Sequence, residues 1–185
     1  MKKLISIFIL LIIYNTIASA QGKFFTRTGY IRFYSETPVE NIEAISNQAS
    51  SIFDADNGDF VLSVQMVGFE FEKALMQEHF NENYVESEKF PKATFKGKII
   101  DYDPSILTSD EKSEVNVEGE LTIHGVSKRL QTTGTVQKTG NNIAAHAEFY
   151  LKVADFNIKI PTAVINNIAK SVLVTVNLDL EPYNK

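Results

Sequence analysis

General acid–base or metal chemistry in this chain would have to be built around three histidines, His79, His124 and His146, because the 185 residues contain no cysteine. Neither H-x-x-x-H nor H-E-x-x-H occurs, so no metal site and no cofactor is expected. Asp54, Asp56, Asn57, Gly58 and Asp59 approach a calcium loop but lack the Glu that closes one. Asn57-Gly58 reads better as a hairpin turn. No Ser sits in a G-x-S-x-G elbow, and no glycine-rich phosphate loop is present. Two-residue alternation places His124 on the face of Glu118 and Glu120, and His146 beside Glu148, both directed away from the apolar face. Gly125 could reverse that direction for His124 by forming a bulge, and a structural turn residue is favoured there over a ligand-contacting one. His79 follows Leu75 by one helical turn and belongs to the edge of a buried stripe. The carboxylates Glu118/Glu120 and Glu70/Glu72 have the strand-alternate spacing of a solvated face. Groups that diverge in this way are a poor basis for catalysis. An enzyme using His124 with Glu118 or Glu120 is the weakest reading of the chain.

The elements that would carry these residues are mostly strands. Val172, Val174, Val176, Leu178 and Leu180 alternate with polar residues, interrupted by Leu173. Ala145, Ala147, Phe149, Leu151 and Val153 form a second such series, and Val115, Val117, Leu121 and Ile123 a third. Further strands are expected over 30–35, 42–47, 50–54, 60–69, 93–102 and 128–138. Val61 and Val67 break the alternation in 60–69, as in a strand covered on both faces. Over 72–83 the period changes: Phe71, Leu75, Met76, His79 and Phe80 share one face at helical spacing, which predicts an amphipathic helix of about three turns. The 155–170 segment is interrupted by Pro161 and rich in apolar residues, and reads as a loop that covers something. Many antiparallel strands with one inserted helix predict an all-β barrel or sandwich. Closure is favoured because it removes exposed edges.

Residues 1–20 carry Lys2 and Lys3, an apolar run over Leu4–Ile13, and Ala18-Ser19-Ala20 at the end. This is the pattern of a secretory signal peptide cleaved before Gln21, with an apolar run too short to span a bilayer. The expected mature protein, residues 21–185, is one domain, secreted or periplasmic, with no membrane span. Of 18 basic side chains, losing Lys2 and Lys3 leaves 16 against 23 acidic ones, a net charge of −7. Nucleic acid and anionic membrane surfaces are therefore unfavourable partners. The chain is rich in Phe, with 13, and has no Trp. That suits either a filled core or an apolar cavity.

Four stretches in this order resemble the YceI-like family: Ile31-Arg32-Phe33-Tyr34-Ser35; Phe90-Pro91 with Ala93-Thr94-Phe95-Lys96-Gly97; Leu121-Thr122-Ile123-His124-Gly125-Val126-Ser127-Lys128; and Asp155-Phe156 through Ile160-Pro161. The resemblance spans nearly all of the expected mature chain. It implies an extended antiparallel lipocalin-like β-barrel of about eight strands with one short helix. The barrel would hold an amphiphilic lipid, an isoprenoid quinone or polyprenyl phosphate, or in some relatives a fatty acid or amide. The candidate ligand-binding residues are Phe33, Leu62, Val64, Met66, Phe69, Leu75, Met76, Phe80, Phe95, Leu121, Ile123, His124, Phe149, Leu151 and Phe156. An envelope stress or structural barrel with a filled core is the alternative, and the residues leave open whether two copies pair. The chain departs from many members over 37–59.

Overall fold

The computed structural model of the protein describes residues 22–164 and 166–183; the segment expected to be a signal peptide lies outside them. Nine strands form the sheet: β1 Lys23–Glu36, β2 Asn41–Asp54, β3 Asp59–Gln65, β4 Glu70–Phe71, β5 Lys92–Ile99, β6 Ser113–Ile123, β7 Val126–Thr139, β8 Asn142–Lys152 and β9 Ser171–Pro182. Their order is β1-β9-β8-β7-β6-β5-β3-β2, and β2 pairs back onto β1, so eight strands close an antiparallel barrel. The two-residue β4 pairs with Ala44 and Ile45 of β2, above the point where β3 ends. One short helix, α1 over Ala74–His79, continues as a π turn over Phe80–Tyr84. No helix among the described residues is long and apolar enough to cross a membrane.

The β1–β2 seam explains why the 37–59 stretch is hard to read in sequence. The separate strands expected at 42–47 and 50–54 are one strand, β2. Its buried residues are Ala44 and Ser46, then Ala49, Ser51 and Phe53, a switch from even to odd positions. The pairing Ile31↔Ser46 followed by Gly29↔Ala49 leaves one extra residue on β2, and Thr26↔Ser51 restores the count with one extra on β1. Each insertion turns the following side chains to the other face, so a two-residue pattern is broken without the strand ending.

Two other expectations are corrected. The 60–69 strand stops at Gln65 and gives way to a 3-10 turn over Met66–Gly68; it is not covered on both faces, since Val67 is 65 % exposed while Met66 is buried. The Asn57-Gly58 pair does not make a two-residue turn. The chain reverses over 55–58, with Gly58 donating its N–H to the Asp54 carbonyl at 2.8 Å and only Gly58 of the two in the left-handed region. The Asp54 and Asn57 side chains instead accept from the backbone N–H groups of Asp56 and Asp59.

His124 is the structural turn residue that the sequence favours, and Gly125 beside it makes a tight turn in place of a bulge. Both residues have positive φ, 51° and 72°, and form the two-residue turn joining β6 to β7. A non-glycine residue in that region is uncommon, and this one is held by its side chain. Nε2 lies 2.7 Å from the Glu86 carboxylate and Nδ1 3.1 Å from the Phe156 carbonyl, with the Phe90 ring edge-on at 4.5 Å. Both partners are acceptors, and the imidazolium form donates to both. The hairpin tip is thereby tied to the loop after α1 and to the loop after β8.

Two outcomes test these contacts. Ile143, 1 % exposed on β8, anchors the lower core; Ile143→Ala is expected to cost about 2–5 kcal/mol, read as a lower urea midpoint at unchanged m-value. The hydrogen bond from His124, with Lys89 adding attraction, holds the Glu86 carboxyl below its ordinary value of 4.5. A folded-state pKa below the unfolded one stabilises fully above 4.5, and that stabilisation is lost as pH falls through the lower folded-state value. Glu86→Gln is therefore expected to lower the urea midpoint above pH 4.5 and to converge with the parent protein as the pH is lowered further.

Candidate functional site

Inward-facing side chains do not fill the barrel. They leave a cavity of about 380 Å³, within the roughly 300–1,000 Å³ typical of small-molecule sites. Its walls are almost wholly apolar. One side is the β9 series Val172, Val174, Val176, Leu178 and Leu180, which faces Leu62, Val64 and Phe95 from β3 and β5. Leu62 and Val176 pack against both buried clusters of the interior and form its waist. Phe95 has room to lie inward because Gly97 and Gly119 pair across β5 and β6, and a Cβ on Gly119 would sit 2.5 Å from the Phe95 ring. Phe60 packs beside that ring at 5.2 Å between centroids.

The lower end is closed. Ile99, Val115, Val136, Ile143, Leu178 and Leu180 are buried there, and Tyr102, Ile106 and Leu107 pack beneath them. The Tyr102 hydroxyl donates to the Ala55 carbonyl at 2.8 Å, and burial together with nearby Asp56 and Asp54 pushes its pKa up to about 12. The phenol is therefore neutral and serves as a donor that pins the plug.

The upper end is built differently. Phe33, Phe69, Phe71 and Phe80 form a cluster with ring centroids 5.0 to 5.9 Å apart, contributed by β1, the 66–69 turn, β4 and the π turn. Ile158, Ile160, Val164 and Ile168 of the β8–β9 loop complete the cover, which agrees with the reading of 155–170 as a covering segment. The polar lining at this end is Ser35, Glu40, His79, Tyr84 and Asn167. Glu40 accepts from Lys73 Nζ at 2.7 Å and from Asn167 Nδ2 at 3.3 Å, and Ser35 accepts from the Ala169 N–H at 2.8 Å. These bonds hold α1 and the β8–β9 loop against the β1–β2 turn.

The wall is also incomplete on one side. β7 and β8 pair only from Thr139↔Asn142 to Gly134↔Ala147. Beyond that point β7 continues on β6 alone and β8 on β9 alone. Leu130, Thr132, Phe149 and Leu151, from these separated segments, line the cavity.

Phe33, Leu62, Val64, Met66, Phe69, Met76, Phe80, Phe95, Leu121, Ile123, Phe149 and Leu151 all line this one cavity. Leu75, His124 and Phe156 do not. Leu75 is 60 % exposed, because the helix begins only at Ala74 and the π turn sets Met76, Phe80 and Tyr84 at four-residue spacing as the inward face. His124 is occupied by the hairpin contacts described above. Phe156 is buried but contributes its backbone carbonyl to His124 and not its ring to the cavity. His146 bonds Asn177 on the outer face at 2.7 Å. Among the described residues no group of three His, Cys, Asp or Glu side chains is placed to hold a metal ion. The sequence reading missed Phe53, Phe60 and the β9 series as lining, although the β9 alternation was visible. It also missed Glu40 and Asn167, which lie 127 residues apart with no local signal linking them.

Comparison with known proteins agrees with this architecture. The family model described as the YceI-like domain matches residues 14–180. Among solved structures the chain is similar to a polyisoprenoid-binding domain from Saccharophagus degradans implicated in plant cell wall breakdown. The TM-score is 0.76 at 18 % identity, covering 88 % of this chain and 99 % of that one. It is also similar to BcnA of Burkholderia cenocepacia, with a TM-score of 0.67 at 18 % identity over 82 % and 94 % of the two chains. The YceI protein of Campylobacter jejuni gives 0.60 at 16 % identity over 81 % and 90 %. No curated protein matches the chain. At these identities the structures establish the shared barrel, and with the family model matching nearly the whole sequence, the chain belongs to the YceI-like family.

Proposed function

We propose that this protein is an exported carrier or store for a long-chain amphiphile of the polyisoprenoid class, acting by binding and not by turnover. The observation that carries this reading is the apolar cavity running between two differently built ends, one plugged and one with a polar rim. A related barrel whose cargo is a polyisoprenoid adds weight, as does the signal-like run over 1–20, which suits a secreted or periplasmic protein. The cavity favours a carrier over a filled structural barrel, since a core evolved only for packing would close such a space.

Binding in such a site needs no strong polar contact. Each buried methylene contributes about 0.8 kcal/mol, so a chain of about ten carbons offers roughly 8 kcal/mol before ordering and association costs. Two measurements test the reading. Organic extraction of protein purified natively from its own envelope, followed by mass spectrometry, is expected to yield a stoichiometric isoprenoid or fatty amphiphile; an empty extract from folded protein would favour the filled barrel. In a chain-length series, affinity is expected to rise roughly four-fold per methylene until the cavity is full. Leu62→Trp, at the waist, is expected to move that limit to shorter chains, and affinity independent of length would count against the carrier.

A further inference from the structure

Among the described residues lining the cavity there is no Lys and no Arg; the ionisable ones are Glu40, His79, the phenol of Tyr84, and His146, whose ring is turned outward to Asn177. Glu40 is the single carboxylate, and it stands at the upper end, where the cavity has its polar rim. The lower end offers a head group nothing but the buried aliphatic plug of Ile143, Leu178 and Leu180. An amphiphile therefore seats its chain downward and leaves its head at the rim, because an unpaired polar group deep in the apolar section would lose its hydration without compensation. The nearest cation, Lys73, is already engaged by Glu40 at 2.7 Å and does not line the cavity. The Lys73 ammonium and the Asn167 amide hold the Glu40 carboxyl below the ordinary carboxylate range, so it is ionised at neutral pH.

We infer that Glu40 and its partner Asn167 form a head-group rim that selects an uncharged, hydrogen-bonding head, such as a prenyl alcohol or amide, over a phosphate or carboxylate. The inference rests on the carrier reading and narrows its cargo. A hydroxyl or amide N–H donates to the Glu40 carboxylate without displacing Lys73. An anionic head instead meets a like charge with no lining cation to offset it, and like-charge juxtaposition suppresses wrong partners.

The test compares farnesol with farnesyl monophosphate, which share one chain and differ only in the head, by calorimetric titration of the mature protein. Farnesol is expected to bind at least about ten-fold more tightly. Glu40→Gln, close in shape, is expected to narrow that ratio by raising the affinity for the phosphate. Should that variant disturb the β1–β2 turn, salt supplies a check on the unaltered protein. Raising ionic strength from about 20 to 200 mM screens a repulsion and is expected to strengthen phosphate binding while leaving farnesol unchanged. Phosphate binding equal to or tighter than farnesol, or weakened by salt, would overturn the rim assignment and leave the carrier reading intact. Failure of both probes to bind would overturn the carrier reading itself and the rim assignment with it.

Discussion

A strand buried in an apolar interior must pair every backbone N–H and C=O along its length, and the barrel meets that demand by closing β1 on β2 as well as on β9. Once the seam is shut, each strand of the barrel has a neighbour on both sides, with the β7–β8 ladder the shortest of the long-strand pairings, and the inward side chains can be mostly apolar. Along the seam each strand carries one extra residue. The insertions on β2 and β1 bring Ala49, Ser51 and Phe53 inward after Ala44 and Ser46, keeping small or apolar groups on the inner face around a sharp bend. Small residues at the seam, among them Ala44, Ala49, Ser46 and Ser51, let the strands approach closely. The bulk that shapes the cavity comes from Phe33, Phe95 and the valines of β9.

The two ends of the barrel follow from the same constraint with opposite outcomes. Below, a short 3-10 turn over Pro104–Leu107 and a neutral Tyr102 bonded to a backbone carbonyl complete an apolar plug. Above, the cover is assembled from α1, the π turn, β4 and the β8–β9 loop, joined by a few polar bonds to Glu40, Ser35 and His124. Such bonds on partly exposed groups are each worth little, whereas aromatic pairs among Phe33, Phe69, Phe71 and Phe80 add area burial to favourable ring geometry. The upper cover is thus held by packing and aligned by polar contacts. The parting of β7 from β8 lies on the flank of the same cavity, where the ladder stops at Gly134 and Ala147. The barrel is therefore least continuous beside the site and most continuous along the β1–β2 seam, whose lower end meets the plug at Phe53 and Ala55.

Much of this was legible along the chain. Regular alternation in Val115–Ile123, Ala145–Leu151 and Val172–Leu180 marked strands with one apolar face, and most of the residues singled out as candidate lining do converge on the cavity. The change to helical period after Phe71 marked α1, though Phe71 itself belongs to β4. What misled was local irregularity. A bulge flips the parity of Ala49–Phe53, and in the short helix Leu75 faces out while Met76, Phe80 and, through the π turn, Tyr84 face the cavity. The turn favoured at His124 is present, but its role as a staple comes from Glu86 and Phe156, which belong to distant loops.

The amino-acid order by itself determined an all-β architecture, an apolar interior, the absence of any cysteine and the family signature, because side-chain period and turn chemistry are local properties that neighbours in sequence express directly. Folding adds what no local pattern carries: the interior is hollow, its lower end is plugged, and Glu40 meets Lys73 and Asn167 at the rim with no Lys or Arg among the described lining residues. Those properties depend on the volume left between strands and on charges brought together from distant segments, and closure of the sheet sets both.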